Sequence, residues 1–155
     1  MDGSTKILAL VFICGLLAGS GIYAVVSSSP PLAAIYTANA PEPIGPYSQA
    51  VRSGDSLFTS GQVGLDPATG TLPDTVAGET VQVMENLRVI LLEAGLDFSD
   101  VVQTRIYLTD LADFETVNAV YAGYFNEPYP ARATVQVAGL PKGARVEIEM
   151  IATVR

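Results

Sequence analysis

The sequence predicts an α+β domain of element order ββαβαββ, with two helices covering one face of a mixed sheet. Three observations carry that prediction. Several short runs alternate apolar and polar residues with the period of a strand. Two longer segments repeat apolar residues with the period of a helix. Gly, Pro and Asp cluster between them. At 155 residues, less a leader, the chain is long enough to bury one core.

The elements follow in chain order. Residues 1–34 read as a signal peptide or membrane anchor followed by a linker. The 7–26 run is uncharged, mostly apolar and apolar around its whole circumference, unlike a core helix. Its length fits a secretory signal or one membrane span, cleaved or retained. That places the protein outside the cytoplasm, exported (periplasmic or secreted) or membrane-anchored through 7–26. Ser27, Ser28 and Ser29 with Pro30 and Pro31 read as linker, and the domain is expected over 35–155.

Within the domain, Ile44-Gly45-Pro46-Tyr47-Ser48 is turn chemistry, since glycine frees φ and proline fixes it. The runs Ala50-Val51-Arg52 and Ser56-Leu57-Phe58-Thr59-Ser60 flank Gly54-Asp55, which signals a first hairpin. A loop follows over 64–73. Over 78–95, Val81, Met84, Leu87, Leu91 and Ala94 recur at helical spacing, and Gly95 suits the helix end. A strand over 101–109 puts Val102, Thr104, Ile106 and Leu108 on one face, and Val101, Gln103, Arg105 and Tyr107 on the other. Asp110 or Asp113 caps a second helix that runs to about Phe125, with Phe114, Val117, Tyr121 and Phe125 as its apolar positions.

Two alternating runs close the chain, Arg132-Ala133-Thr134-Val135-Gln136-Val137 and Arg145-Val146-Glu147-Ile148-Glu149-Met150. The short Leu140-Pro141-Lys142-Gly143 connection predicts that they pair as a hairpin. Ala133, Val135 and Val137 then share the core side with Val146, Ile148, Met150 and Ala152, while Arg132, Thr134, Gln136, Arg145, Glu147 and Glu149 face away. A face so mixed suits a subunit interface with a polar cleft.

Composition removes many chemistries. There is no histidine, and the sole cysteine, Cys14, lies in the leader. The domain therefore has no intramolecular disulfide, Cys/His metal site, thiol nucleophile or Ser-His-Asp triad. Catalysis has to rest on carboxylates, Arg, Lys, Tyr, Ser, Thr, backbone groups or water. With 8 basic against 16 acidic residues, a net charge of −8 and no basic cluster, nucleic acid is not an expected partner. Arg132 beside a carboxylate would grip a small anion next to a general base. On the residues alone, two readings of Arg132 stand level: a carboxylate ligand making two parallel hydrogen bonds, or an interface salt bridge to Glu147 or Glu149. For Glu147 alone, a solvated strand carboxylate is the better reading.

An ordered series of blocks then bears on function: Ala40-Pro41 with Ile44-Gly45-Pro46-Tyr47-Ser48-Gln49-Ala50; Phe58-Thr59-Ser60-Gly61-Gln62; Asn86-Leu87; Glu93-Ala94-Gly95; Asp113-Phe114 with Asn118; and Pro130-Ala131-Arg132 through Glu147-Ile148-Glu149. In this series, which covers nearly all of 35–155, the chain resembles the reactive intermediate deaminase family (RidA/YjgF type). The resemblance implies a chorismate-mutase-like fold and a homotrimer with clefts between subunits. It implies hydrolysis of enamines and imines such as 2-aminoacrylate to a 2-oxo acid and ammonia, with no metal or organic cofactor. Carried over by position, Arg132 anchors the substrate carboxylate and Glu147 handles the water or a proton. Tyr47 packs over a small planar substrate and Ser60 hydrogen-bonds a carboxylate or water. Turn packing and a satisfied strand hydroxyl are the ordinary alternatives for Tyr47 and Ser60. Thr134 stands where many members carry Cys, so thiol-dependent behaviour does not carry over. The competing function is a non-catalytic trimeric small-ligand or protein-binding module of the same fold.

Overall fold

Pairing begins at Leu32, inside the stretch read as linker. Strand β1 (Leu32–Ile35) runs antiparallel to β2 (Ala50–Ser53). The computed structural model describes residues 31–154, so the 7–26 run and Cys14 lie outside the described residues. Gly54, at φ 59, supplies the left-handed residue that lets a two-residue loop return β2 into β3 (Ser56–Thr59) as the predicted hairpin. A short β4 (Gln62–Val63), absent from the sequence prediction, follows at once.

Helix α1 (Val76–Glu93) starts where Thr75 accepts from Gly78 N at 3.1 Å. It ends where Gly95 turns left-handed, at φ 73, and Leu96 N reaches back to Leu91 O at 2.9 Å. Its buried face runs through Val83, Met84, Leu87, Ile90 and Leu91. Val81, placed in the stripe by spacing, is instead 43% exposed. Strand β5 (Val101–Leu108) opens with a β-bulge between Val101 and Gln103. The extra residue turns Val101 into the core and Val102 out, against the predicted alternation, which resumes at Thr104. Asp110 caps a 3-10 turn by accepting from Ala112 N at 2.9 Å, and α2 (Phe114–Ala122) continues from it. Val117, Tyr121 and Phe125 are buried as predicted.

Strands β6 (Ala131–Gln136) and β7 (Val146–Thr153) complete a mixed sheet of order β1-β2-β3-β7-β5-β6, with β4 also paired to β7. The α+β architecture is the predicted one; the final pairing is not. The last two strands do not form a hairpin, because β5 lies between them. The β5–α2–β6 crossover lays β6 parallel to β5, while β7 enters antiparallel on the other side of β5. The facing of β6 is also reversed. Arg132 sits opposite Thr104, whose hydroxyl meets the Tyr121 hydroxyl of α2 at 2.9 Å, so Arg132 lies on the helix side. Ala133 and Val135 occupy the open side, and Val135 is 47% exposed.

The core lies between sheet and helices, where Leu57, Ile106, Leu108, Val146, Ile148 and Met150 meet α1. Each such side chain contributes roughly 2 kcal/mol by leaving water. One charged group crosses that layer. Glu79, fully buried in the first turn of α1, accepts from Arg145 N at 2.7 Å, Val146 N at 3.2 Å and Arg145 Nε at 2.9 Å. The Arg145 guanidinium also donates to Asp74 O at 3.0 Å and Pro73 O at 2.9 Å. Arg145 therefore locks β7 to α1 rather than joining Glu147 and Glu149 on the open face. Among the described residues no helix is long and apolar enough to cross a membrane.

Candidate active site

Three of the four predicted site residues, Tyr47, Ser60 and Glu147, line one cleft of about 540 Å³ on the open face of the sheet. Buried Gln49 builds its N-terminal wall. Gln49 Oε1 accepts from Thr37 N at 2.7 Å, and Nε2 donates to Thr37 O and Pro41 O, each at 3.0 Å. The loop so anchored returns through a tight turn in which Tyr47 N donates to Gly45 O at 2.8 Å. The Tyr47 hydroxyl accepts from Ile44 N at 3.2 Å, which leaves its own hydrogen for a ligand. Ser60 is stitched to the same loop, donating from Oγ to Ser48 O at 2.6 Å and from N to Gln49 O at 2.9 Å. With its proton used there, Ser60 Oγ presents lone pairs to the cleft and suits a water better than a carboxylate.

Glu147 stands on β7 between Val63 of β4 and Tyr107 of β5. It is half-buried, and its pKa is raised above the usual carboxylate value, first by burial and then by the Glu149 charge. Gly61 explains how the backbone comes so near: a Cβ there would lie 1.9 Å from Glu147 Oε1. Asn86 steadies β4 by donating to Val63 O at 3.1 Å and Leu65 O at 2.9 Å. Glu149 is neutralised by Arg105 at 2.5 Å.

Arg132 is not in this cleft. It lies on edge strand β6, on the opposite face of the sheet from Glu147 and beyond β5. Its Nη1 donates to Asn118 Oδ1 at 2.7 Å, and its guanidinium sits 5.0 Å from the Tyr121 ring centroid and 5.7 Å from that of Phe114. The ion pairs among the described residues are Arg88–Glu85, Arg105–Glu149 and Arg145–Glu79, so Arg132 meets no carboxylate. Two residues on, Thr134 Oγ1 is buried without a hydrogen-bond partner among the described residues. Arg132 is thus an exposed fork, held by two rings and one amide, with donors to spare.

Sequence reasoning missed three residues of this arrangement. Asn118, named in the block series without a role, holds Arg132. Lys142 lines the cleft from a left-handed φ of 59 beside Gly143, and the Leu-Pro-Lys-Gly turn was its signal. Glu42 also lines the cleft, and nothing in its sequence context marked it. Among the described residues no group of three or more His, Cys, Asp or Glu side chains is placed to hold a metal ion.

The chain is similar in sequence and fold to known proteins. The sequence model of the family described as Endoribonuclease L-PSP matches residues 37–154. Reactive Intermediate Deaminase A, chloroplastic, from Arabidopsis thaliana is 44% identical over 162 residues, covering 96% of this chain and 87% of that protein. The 2-iminobutanoate/2-iminopropanoate deaminase of Bos taurus is 55% identical over 119 residues, covering 76% of this chain and 87% of that protein. Among solved structures, Escherichia coli TdcF with bound serine superposes with a TM-score of 0.77 at 43% identity, covering 79% of this chain and 99% of that one. One expectation is overturned. The match to the plant protein, named for the chloroplast, covers 96% of this chain and so runs through the 7–26 stretch. This corrects the exported or membrane-anchored placement: length and hydropathy register an apolar run but do not specify where it directs a protein.

Proposed function

This chain belongs to the Endoribonuclease L-PSP family, that of the reactive intermediate deaminases, and on that premise we infer how its residues deaminate an imine. It is a hydrolase that converts short-lived enamines and imines, of the 2-aminoacrylate kind, to 2-oxo acids and ammonia. An enamine first tautomerises to its imine, a proton passing from nitrogen to the methylene carbon; water then adds to the electrophilic imine carbon, the carbon–nitrogen bond breaks, the oxygen remains as the carbonyl, and nitrogen leaves with the protons of the water. The placement of Arg132 carries the reading of the site. Tyr47, Ser60 and Glu147 share one cleft, whereas Arg132 lies on the far face without a carboxylate partner. A complete site therefore takes the cleft of one copy and Arg132 of another, in a homotrimer assembled through the open sheet face, where Phe58 and Val135 are exposed.

In that site the Arg132 fork holds the substrate carboxylate bidentately. Tyr47 covers the planar imine and offers its hydroxyl. Ser60 Oγ accepts from the attacking water, and Glu147 takes a proton from that water and returns it to the departing nitrogen. Holding water and imine together supplies much of the acceleration, because the carbon is already electrophilic. TdcF with bound serine supports the reading, since an amino acid carries the same carboxylate and α-nitrogen as the imine derived from it. The nuclease in the family's description finds no support in the charge of this chain, −8.

The test is release of 2-oxo acid from 2-aminoacrylate generated in situ. Wild type accelerates it, Arg132→Ala lowers kcat/KM by about 100-fold or more, and Arg132→Lys does not restore it. No acceleration by wild type sinks the reading. Binding of a stable 2-oxo acid without turnover favours the non-catalytic module instead.

A further inference from the structure

We propose that Glu42 makes this cleft selective for side-chain charge, admitting imines with neutral or basic side chains and turning away acidic ones. The inference rests on the deaminase reading of the cleft and adds the substrate class to it. Glu42 is exposed and lies on the cleft wall with Tyr47, Ser60 and Glu147. Pro41 and Pro43 flank it, and Pro43 restricts the backbone of Glu42 to extended conformations. The Tyr36 hydroxyl donates to its carboxylate. That partner is neutral, so it fixes the direction of the carboxylate without cancelling its charge.

The other two carboxylates of the wall are otherwise engaged. Glu149 is neutralised by Arg105 at 2.5 Å, and Glu147 is half-buried against Gly61. Lys142 is the basic residue of the lining, and with Glu149 paired to Arg105 it is set against Glu42 and Glu147. An amino-acid imine brings one carboxylate, which Arg132 of the neighbouring copy answers. A second carboxylate on the side chain has no second guanidinium to meet, and it enters a wall whose balance is negative. Like charges a few ångströms apart repel even when solvent-screened, and repulsion of the wrong ligand is as good a source of selectivity as attraction of the right one. A cationic side chain meets the opposite field.

The experiment uses the full chain and imines formed in situ by oxidation of leucine, arginine and glutamate, with kcat/KM read by competition with semicarbazide trapping. Leucine and arginine imines are turned over, and the glutamate imine is about tenfold less efficient at low salt. The gap narrows as ionic strength rises, because the charges are near the surface. Glu42→Gln lowers the leucine-to-glutamate ratio, and Glu42→Lys abolishes or inverts it. A wild-type ratio near one, or a ratio that neither salt nor Glu42→Lys moves, overturns the proposal. So does a preference for the glutamate imine that disappears in Lys142→Met, which would make the lysine a receptor for acids. Should either Glu42 variant fail to fold, the salt dependence of the wild-type ratio still decides. Failure of the leucine arm counts against deamination itself, which keeps the two readings separable.

Discussion

At Gly61 the absence of one methyl group sets the position of a carboxylate. An alanine Cβ would lie 1.9 Å from Glu147 Oε1, closer than atoms approach, and the part that must yield is the end of a flexible side chain. Gly61→Ala is therefore expected to cost little stability, within about 1 kcal/mol, while swinging the carboxylate toward solvent. Burial first, and the Glu149 charge second, raise the pKa of Glu147 in the wild type. A base must be ionised to act, so the rate rises with pH through that raised value. Relieving the burial lowers it, so the acid limb of kcat/KM moves to lower pH in Gly61→Ala while the plateau falls. Parallel pH profiles for the two proteins test this, and an unshifted limb with an unchanged plateau refutes it. The linkage to stability has the corresponding sign: the fold favours the protonated carboxyl, so that contribution is full below the unfolded pKa and lost as pH rises through the folded one. Sequence showed which residue types stood in these blocks. It did not show that Gly61 abuts Glu147, because nothing local in either segment reports the β4–β7 pairing.

Among the elements, alternation identified β5, β6 and β7 as strands but could not name their neighbours. A period of two is the same whether a strand pairs with the next run or with an earlier one, and the short Leu140–Gly143 connection pointed to the wrong choice. What overrides it is α2, which needs β6 beside β5 to cover its apolar stripe. Strand β1 was missed because it lies largely in the stretch read as linker, and β4 because it is two residues long; they owe their existence to β2 and β7. The Glu79–Arg145 tie was equally invisible, since a glutamate in a first helical turn normally faces water. Its role gives an element-scale prediction. Removing this acceptor leaves two backbone donors and Arg145 Nε without their partner at the α1–β7 junction, so Glu79→Ala costs about 3 kcal/mol in denaturant unfolding. A loss below about 1 kcal/mol would mean that the junction is held by packing alone.

For the whole molecule, composition and motif series made the α+β class and two helices legible, and the resemblance implied clefts between subunits, whereas the face of the sheet that carries Arg132 was not legible. Arg132 and Glu147 fall on opposite faces of one sheet, an arrangement no linear spacing announces. Under the proposed trimer, each cleft borrows its carboxylate anchor from a neighbour. Co-refolding equal amounts of Arg132→Ala and Glu147→Gln chains then regenerates intact sites in mixed trimers, about a quarter of the total for random assembly. Either variant alone stays inactive. No recovery on mixing, with trimers confirmed by sedimentation, would place the whole site within one chain. Seen as inheritance rather than geometry, a sheet with its anchor on one side and its base on the other shares out damage. In such a trimer a chain faulty at Arg132 spoils its neighbour's work and not its own, and two differently faulty copies can cover for each other where two alike cannot.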